Sequence, residues 1–141
     1  MRAFLILLCL LPFAAQANFC KSFAHADGRV RSEKELMDSG LLERGVWITF
    51  DYREYESYPE EIRAALRKYA RTNQILMRDF IQRGPTVHEL TFRSGARGLY
   101  VQVGDLLGFA STTSGAVYRR DASQLTVVAT VEQGHVTRCR E

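Results

Sequence analysis

The chain has 141 residues, of which 46% are hydrophobic and 25% charged, with a formal net charge of +3. That length fits one domain, and so small an excess of positive charge does not by itself imply a nucleic-acid partner. No two of the three cysteines stand at zinc-ligand spacing, which excludes zinc fingers and ribbons.

In chain order, residues 1–17 read as a secretory signal. Arg2 opens the segment, AFLILLCLLPFAA supplies a short apolar run, and Ala15-Gln16-Ala17 supplies an A-x-A cleavage site. The run is shorter than the roughly 20 residues that span a bilayer. The expectation is a mature chain beginning at Asn18, exported to the periplasm or beyond and without a membrane anchor. Cleavage would leave 124 residues with a formal charge of +2 and would remove Cys9. Cys20 and Cys139 then form an even pair in an oxidising compartment, so a disulfide is expected. Closing so long a loop restricts the unfolded chain by about 4–5 kcal/mol as an upper figure.

Residues 18–31 read as an irregular arm with a turn at Asp27-Gly28. Ser32 followed by Glu35 is a capping box, opening a short helix that Gly40 should stop. Residues 46–52 (VWITFDY) alternate as a strand with one buried side. Residues 58–83 then carry Ile62, Leu66, Tyr69, Leu76, Phe80 and Ile81 at helical spacing, with Ser57 and Glu60 as a second capping box and Pro59 in the first turn. One long amphipathic helix is expected here, ended by Gly84-Pro85.

Beyond Pro85 the period changes from 3.6 to 2. Alternating runs cover 86–92, 99–103, 106–112, 116–120, 125–131 and 136–138, separated by Gly, Asp and Ser turns. That pattern is an antiparallel meander. The predicted fold is α+β in two layers: one long and one short helix packed on one side of a curled antiparallel sheet of five to six strands. A cystatin-like or NTF2-like wrap of sheet around helix fits this order of elements, and such an analogy implies no activity.

Motifs for chemistry are sparse. His25, His88 and His135 stand singly. His88-Glu89 begins like a zinc-protease helix, but Phe92 occupies the place of the second histidine. His88 shares an apolar face with Leu90 and Phe92 and reads as a hydrogen-bonded, half-core histidine. There is no G-x-S-x-G elbow and no glycine-rich phosphate loop, so neither metal nor cofactor is expected. A small secreted hydrolase, in particular a metal-free nuclease, could draw on His88 or Glu89 with Arg93, Arg97, Arg119 and His135. The arginines of 63–78 read as a solvated helix face.

The most suggestive stretch is 47–61, WITFDYREYESYPEE. From Asp51 to Glu61 it holds five acids and one arginine. Aromatic side chains with a polar tip dominate binding hot spots, and carboxylates around them steer a cationic partner. Trp47, Asp51, Tyr52, Glu54, Tyr55, Glu56 and Tyr58 are therefore the candidate partner-binding residues. The sequence favours an exported, non-enzymatic protein-binding module, in its concrete form an inhibitor or immunity-type protein that caps a basic secreted or periplasmic enzyme. On this reading Tyr55 and Tyr58 can be truncated with little loss of stability. The oligomeric state is left open.

Overall fold

The computed structural model describes residues 19–47, 52–104 and 113–140, with the backbone alone at 44, 46 and 47. In chain order the elements are α1 (described over 19–23), α2 (Glu33–Asp38), β1 (Leu42–Trp47), a 3-10 turn (Tyr52–Ser57), α3 (Glu60–Thr72), α4 (Met77–Gln82), β2 (Thr86–Thr91), β3 (Arg97–Val103), β4 (Ser114–Asp121), β5 (Gln124–Glu132) and β6 (His135–Cys139). The fold is α+β. Its six strands form a single open sheet whose spatial order is the chain order, every pair antiparallel. Neighbours in sequence are neighbours in space, as short turns between alternating strands require. The last hairpin closes on Gln133 and Gly134, both at positive φ (51° and 77°), the backbone twist that matches paired strands.

The apolar spacing of 58–83 does make helix, but two helices instead of the one expected. After Thr72 the chain reverses through Gln74, at φ 56°. The Ile75 amide donates to the Ala70 carbonyl and the Gln74 amide to the Arg71 carbonyl, the two bonds that define a Schellman end. Asn73 contributes by donating its side-chain amide to the Tyr69 carbonyl, four residues back. Glycine usually occupies the left-handed place, and here a glutamine does, so the stop carried no obvious mark. The second capping box also fails to form. Pro59 is the cap residue and makes no side-chain bond to the helix, while the Ser57 hydroxyl donates back to the Glu54 carbonyl. The box at Ser32 and Glu35 forms in both directions.

The strand expected over 46–52 begins earlier, and its residues 48–51 lie outside the described residues. β1 runs from Leu42 to Trp47, paired with β2 from Leu90 to Thr86, and Tyr52 already belongs to the 3-10 turn. Gly45 sits inside this strand instead of before it. It pairs with His88, and a Cβ at Gly45 would lie 2.8 Å from the His88 ring. The missing side chain makes room for the imidazole. The run over 106–112 lies outside the described residues.

Both faces of the sheet are covered, which overturns the two-layer expectation. On one face Ile62, Leu66, Tyr69, Phe80 and Ile81 from α3 and α4 pack on Val87, Leu99, Val101, Val103 and Tyr118. On the other, Phe19 and Phe23 of α1 and Leu36 of α2 pack on Leu90, Phe92, Tyr100, Val117 and Val131. Strand alternation sorts the residues between these cores. An extra residue, Val128, opposite the Val117–Tyr118 step puts both Val128 and Ala129 into the second core. The arm before α2 is thus an ordered layer, not a tail. It is held by the Ala24–Val30 bridge, by the Arg29–His135 bridge to β6, and by Cys20, whose sulfur is at bonding distance from that of Cys139 with Cα atoms 6.0 Å apart. No helix among the described residues is long and apolar enough to cross a membrane.

Candidate functional site

The aromatic, acidic stretch becomes the 3-10 turn Tyr52–Ser57 leading into α3. Its candidate residues divide by burial. Tyr55 is only 5% exposed and belongs to the core beneath α3. Its hydroxyl donates to the Arg63 carbonyl at 3.0 Å and accepts from the Arg67 guanidinium at 3.1 Å. Burial pushes the Tyr55 phenol up, against the opposing pull of Arg67. Tyr58 is half-buried against the same cluster. The expectation that Tyr55 can be removed without loss of stability therefore fails, because its ring is core and its hydroxyl ties the turn to α3. Tyr52 is different. It is 45% exposed, and its ring stacks on that of Tyr55 with centroids 6.2 Å apart and planes 16° from parallel. Glu54 and Glu56 are exposed. Asp51 and the side chain of Trp47 lie outside the described residues.

The acids do not stand as a free negative field. Arg63 bridges Glu56 and Glu60, both at 2.9 Å, Arg67 also grips Glu60, and Arg120 reaches Glu61 at 3.0 Å. The hydrogen bond from Arg67 holds the Glu60 carboxyl below its ordinary range. The arginine face of the helix thus folds back over the acidic turn, so the surface around Tyr52 is charge-compensated. Exposed pairs of this kind add little stability each, but they fix side chains in place.

The hydrolase set does not assemble. His88 and Glu89 are consecutive in β2 and point to opposite faces. Arg97 is paired with Glu43 at 3.0 Å and Arg119 with Asp121 at 3.1 Å. Arg93 and Arg119 border one hollow and His135 another. What sequence spacing did not reveal is that two of the histidines border one hollow. His25 and His135 line a hollow of about 540 Å³ beside α2, with Tyr100 on its wall. His25 lies 3.4 Å from Glu35, and the buried His88 ring, tilted beside Tyr100, has its Nε2 4.0 Å from Glu33. The register of β2 against β3 sets His88 opposite Tyr100, and the Arg29–His135 bridge brings the arm that carries His25 to β6. His88 differs from the hydrogen-bonded histidine expected: neither ring nitrogen has a hydrogen-bond partner among the described residues. Burial drives its pKa down, opposed by the nearby Glu33 charge. Among the described residues no three His, Cys, Asp or Glu side chains group closely enough to hold a metal ion.

Fold and site together define a small α+β domain, its one sheet closed on both faces and its ends drawn together at Cys20 and Cys139. No family model, curated protein or solved structure matches this chain.

Proposed function

We propose that this chain is an exported, non-enzymatic protein that binds another protein through the surface around Tyr52. The observation that carries the reading is the exposed Tyr52 ring stacked on a buried, doubly hydrogen-bonded Tyr55. A partner meets an aromatic side chain already held in place, so little conformational entropy remains to be lost on binding. Glu54, Glu56 and the rim of Tyr58 complete the patch. An inhibitor or immunity-type protein that caps a secreted or periplasmic enzyme is the concrete form. Because Arg63, Arg67 and Arg120 compensate the acids, affinity rests on the aromatic contact more than on long-range steering of a cationic partner. The Cys20–Cys139 pair is compatible with export, and the signal-like segment 1–17 supplies the route. The test is capture of a partner from the envelope and secreted fraction on immobilised protein, with Tyr52→Ala run beside it. Loss of the partner on Tyr52→Ala at unchanged thermal stability supports the reading, and equal retention by both proteins refutes it.

A further inference from the structure

A second, separate feature lies on the opposite face of the sheet, where α1, the turn before β1 and the turn after β2 leave a hollow of about 280 Å³. Its floor is aromatic. The rings of Phe19 and Phe92 meet at 4.8 Å, and Leu41 and Val128 close the sides. The floor exists because β3 has a glycine beneath it. A Cβ at Gly98 would come 2.7 Å from the Phe92 ring and 2.4 Å from the Tyr118 carbonyl oxygen. With no side chain at that place, Phe92 lies across the strand and the space above it stays open.

The mouth is cationic. Arg93, in the turn after β2, and Arg119, on β4, both border it. Arg119 gives its Nε and Nη2 to Asp121, at 3.1 and 3.3 Å. Arg93 has no ion pair among the described residues, and the Ser22 hydroxyl beside it has no hydrogen-bond partner there either. A shallow depression continues past Arg93 to Lys21, Arg31, Glu35 and Asp38. Glu35 is already occupied by Ser32, His25 and Arg31. Among the described residues around the hollow and the depression, Arg93 and Lys21 make no ion pair, against one such carboxylate, Asp38.

We propose that this hollow binds a small amphiphilic anion, a carboxylate carrying a medium-length or aromatic apolar body. The rings take the body, and the Arg93 guanidinium takes the carboxylate in the forked geometry that suits it, with the Asp121-paired Arg119 across the mouth. The volume sits near the small end of ligand sites and suits a body of about eight carbons. The guanidinium meets the anion next to low-dielectric aromatic surface, where a charged hydrogen bond is stronger than in bulk water.

The test is titration of the full, disulfide-closed protein with octanoate, octanol and acetate, followed by calorimetry and amide chemical shifts. Octanoate should saturate at submillimolar concentration, with shifts centred on Phe19, Leu41, Phe92 and Arg93. Octanol, with the same body and no charge, should bind at least tenfold more weakly, and acetate should not bind. Arg93→Gln, on an exposed turn, should weaken octanoate about tenfold and leave octanol unchanged. Equal binding of octanol and octanoate, an unaffected Arg93→Gln, shifts centred elsewhere, or no saturation by octanoate would each overturn the proposal. Binding to vesicles of anionic lipid without binding of free octanoate would also overturn it, since that assigns the arginines to a membrane surface.

Discussion

His88 is buried to 1% exposure with neither ring nitrogen hydrogen-bonded among the described residues, and this makes a counterintuitive mutation informative. A buried polar atom left without a hydrogen bond costs about 1–3 kcal/mol, less where the neutral ring is only weakly desolvated. Leucine has a similar volume and no polar atom. His88→Leu should therefore stabilise the protein at pH 7.5, by about 1–2 kcal/mol after allowance for imperfect fit over Gly45. Acid should widen the gap. Burial lowers the folded-state pKa of His88, so below the unfolded value of about 6.5 the unfolded chain takes up a proton that the folded chain resists. This part of the stability is present above that pH and is lost as pH falls through it. One unit below, at pH 5.5, the loss is at most about 1.4 kcal/mol, and His88→Leu lacks it. Urea denaturation of both proteins at pH 7.5 and 5.5 measures the difference directly, because the other titrating groups are common to both. A destabilised His88→Leu at pH 7.5, with a gap that does not change on acidification, would show that the ring is hydrogen-bonded and that its orphaned state is not real.

Four further outcomes follow from the same geometry. Replacing Cys20 and Cys139 by serine should lower stability by up to about 4–5 kcal/mol, given a separation of 119 residues, and thiol titration of the unfolded wild-type chain should find neither sulfur free. Tyr55→Ala should cost about 3–5 kcal/mol and Tyr55→Phe about 0.5–1.5 kcal/mol, whereas Tyr52→Ala should stay within about 1 kcal/mol of wild type; thermal melts rank them. Gln74→Gly should stabilise by about 0.5–1 kcal/mol, since it removes the left-handed strain at the end of α3, and a neutral or destabilising result would argue against the Schellman end. Gly98→Ala should cost more than about 2 kcal/mol, because the added carbon meets a backbone oxygen that cannot move aside.

The described strands from 86 onward were legible because turn chemistry and alternation act locally, and that meander keeps sequence order in space. The capping box at Ser32 was legible for the same reason. The helix break at Gln74 was not, because glutamine carries no preference for the left-handed region; only the preceding Thr72-Asn73, both able to bond back to the helix backbone, hinted at it. The second covered face was hidden too. Phe19, Phe23 and Leu36 are too few and too widely spaced to make a periodic signal, yet the pairing of Cys20 with Cys139 pins their segment onto the sheet. Half of the candidate site was readable as aromatic and acidic. Which tyrosine is core and which is surface depended on the turn's geometry, and the pairing of its acids depended on arginines further along the chain, Arg63 on α3 and Arg120 on β4. The meeting of His25 and His135 at one hollow required the bridge between the arm and β6, which no local pattern encodes.

The most direct measurement of the binding proposal is the dissociation constant of a captured partner for the wild-type protein and for Tyr52→Ala, taken with both proteins folded to the same melting temperature. Removal of an exposed ring preorganised on Tyr55 should weaken binding by at least about 2 kcal/mol, close to thirtyfold. An unchanged constant would place the contact elsewhere on the molecule and contradict the role given to the Tyr52 surface.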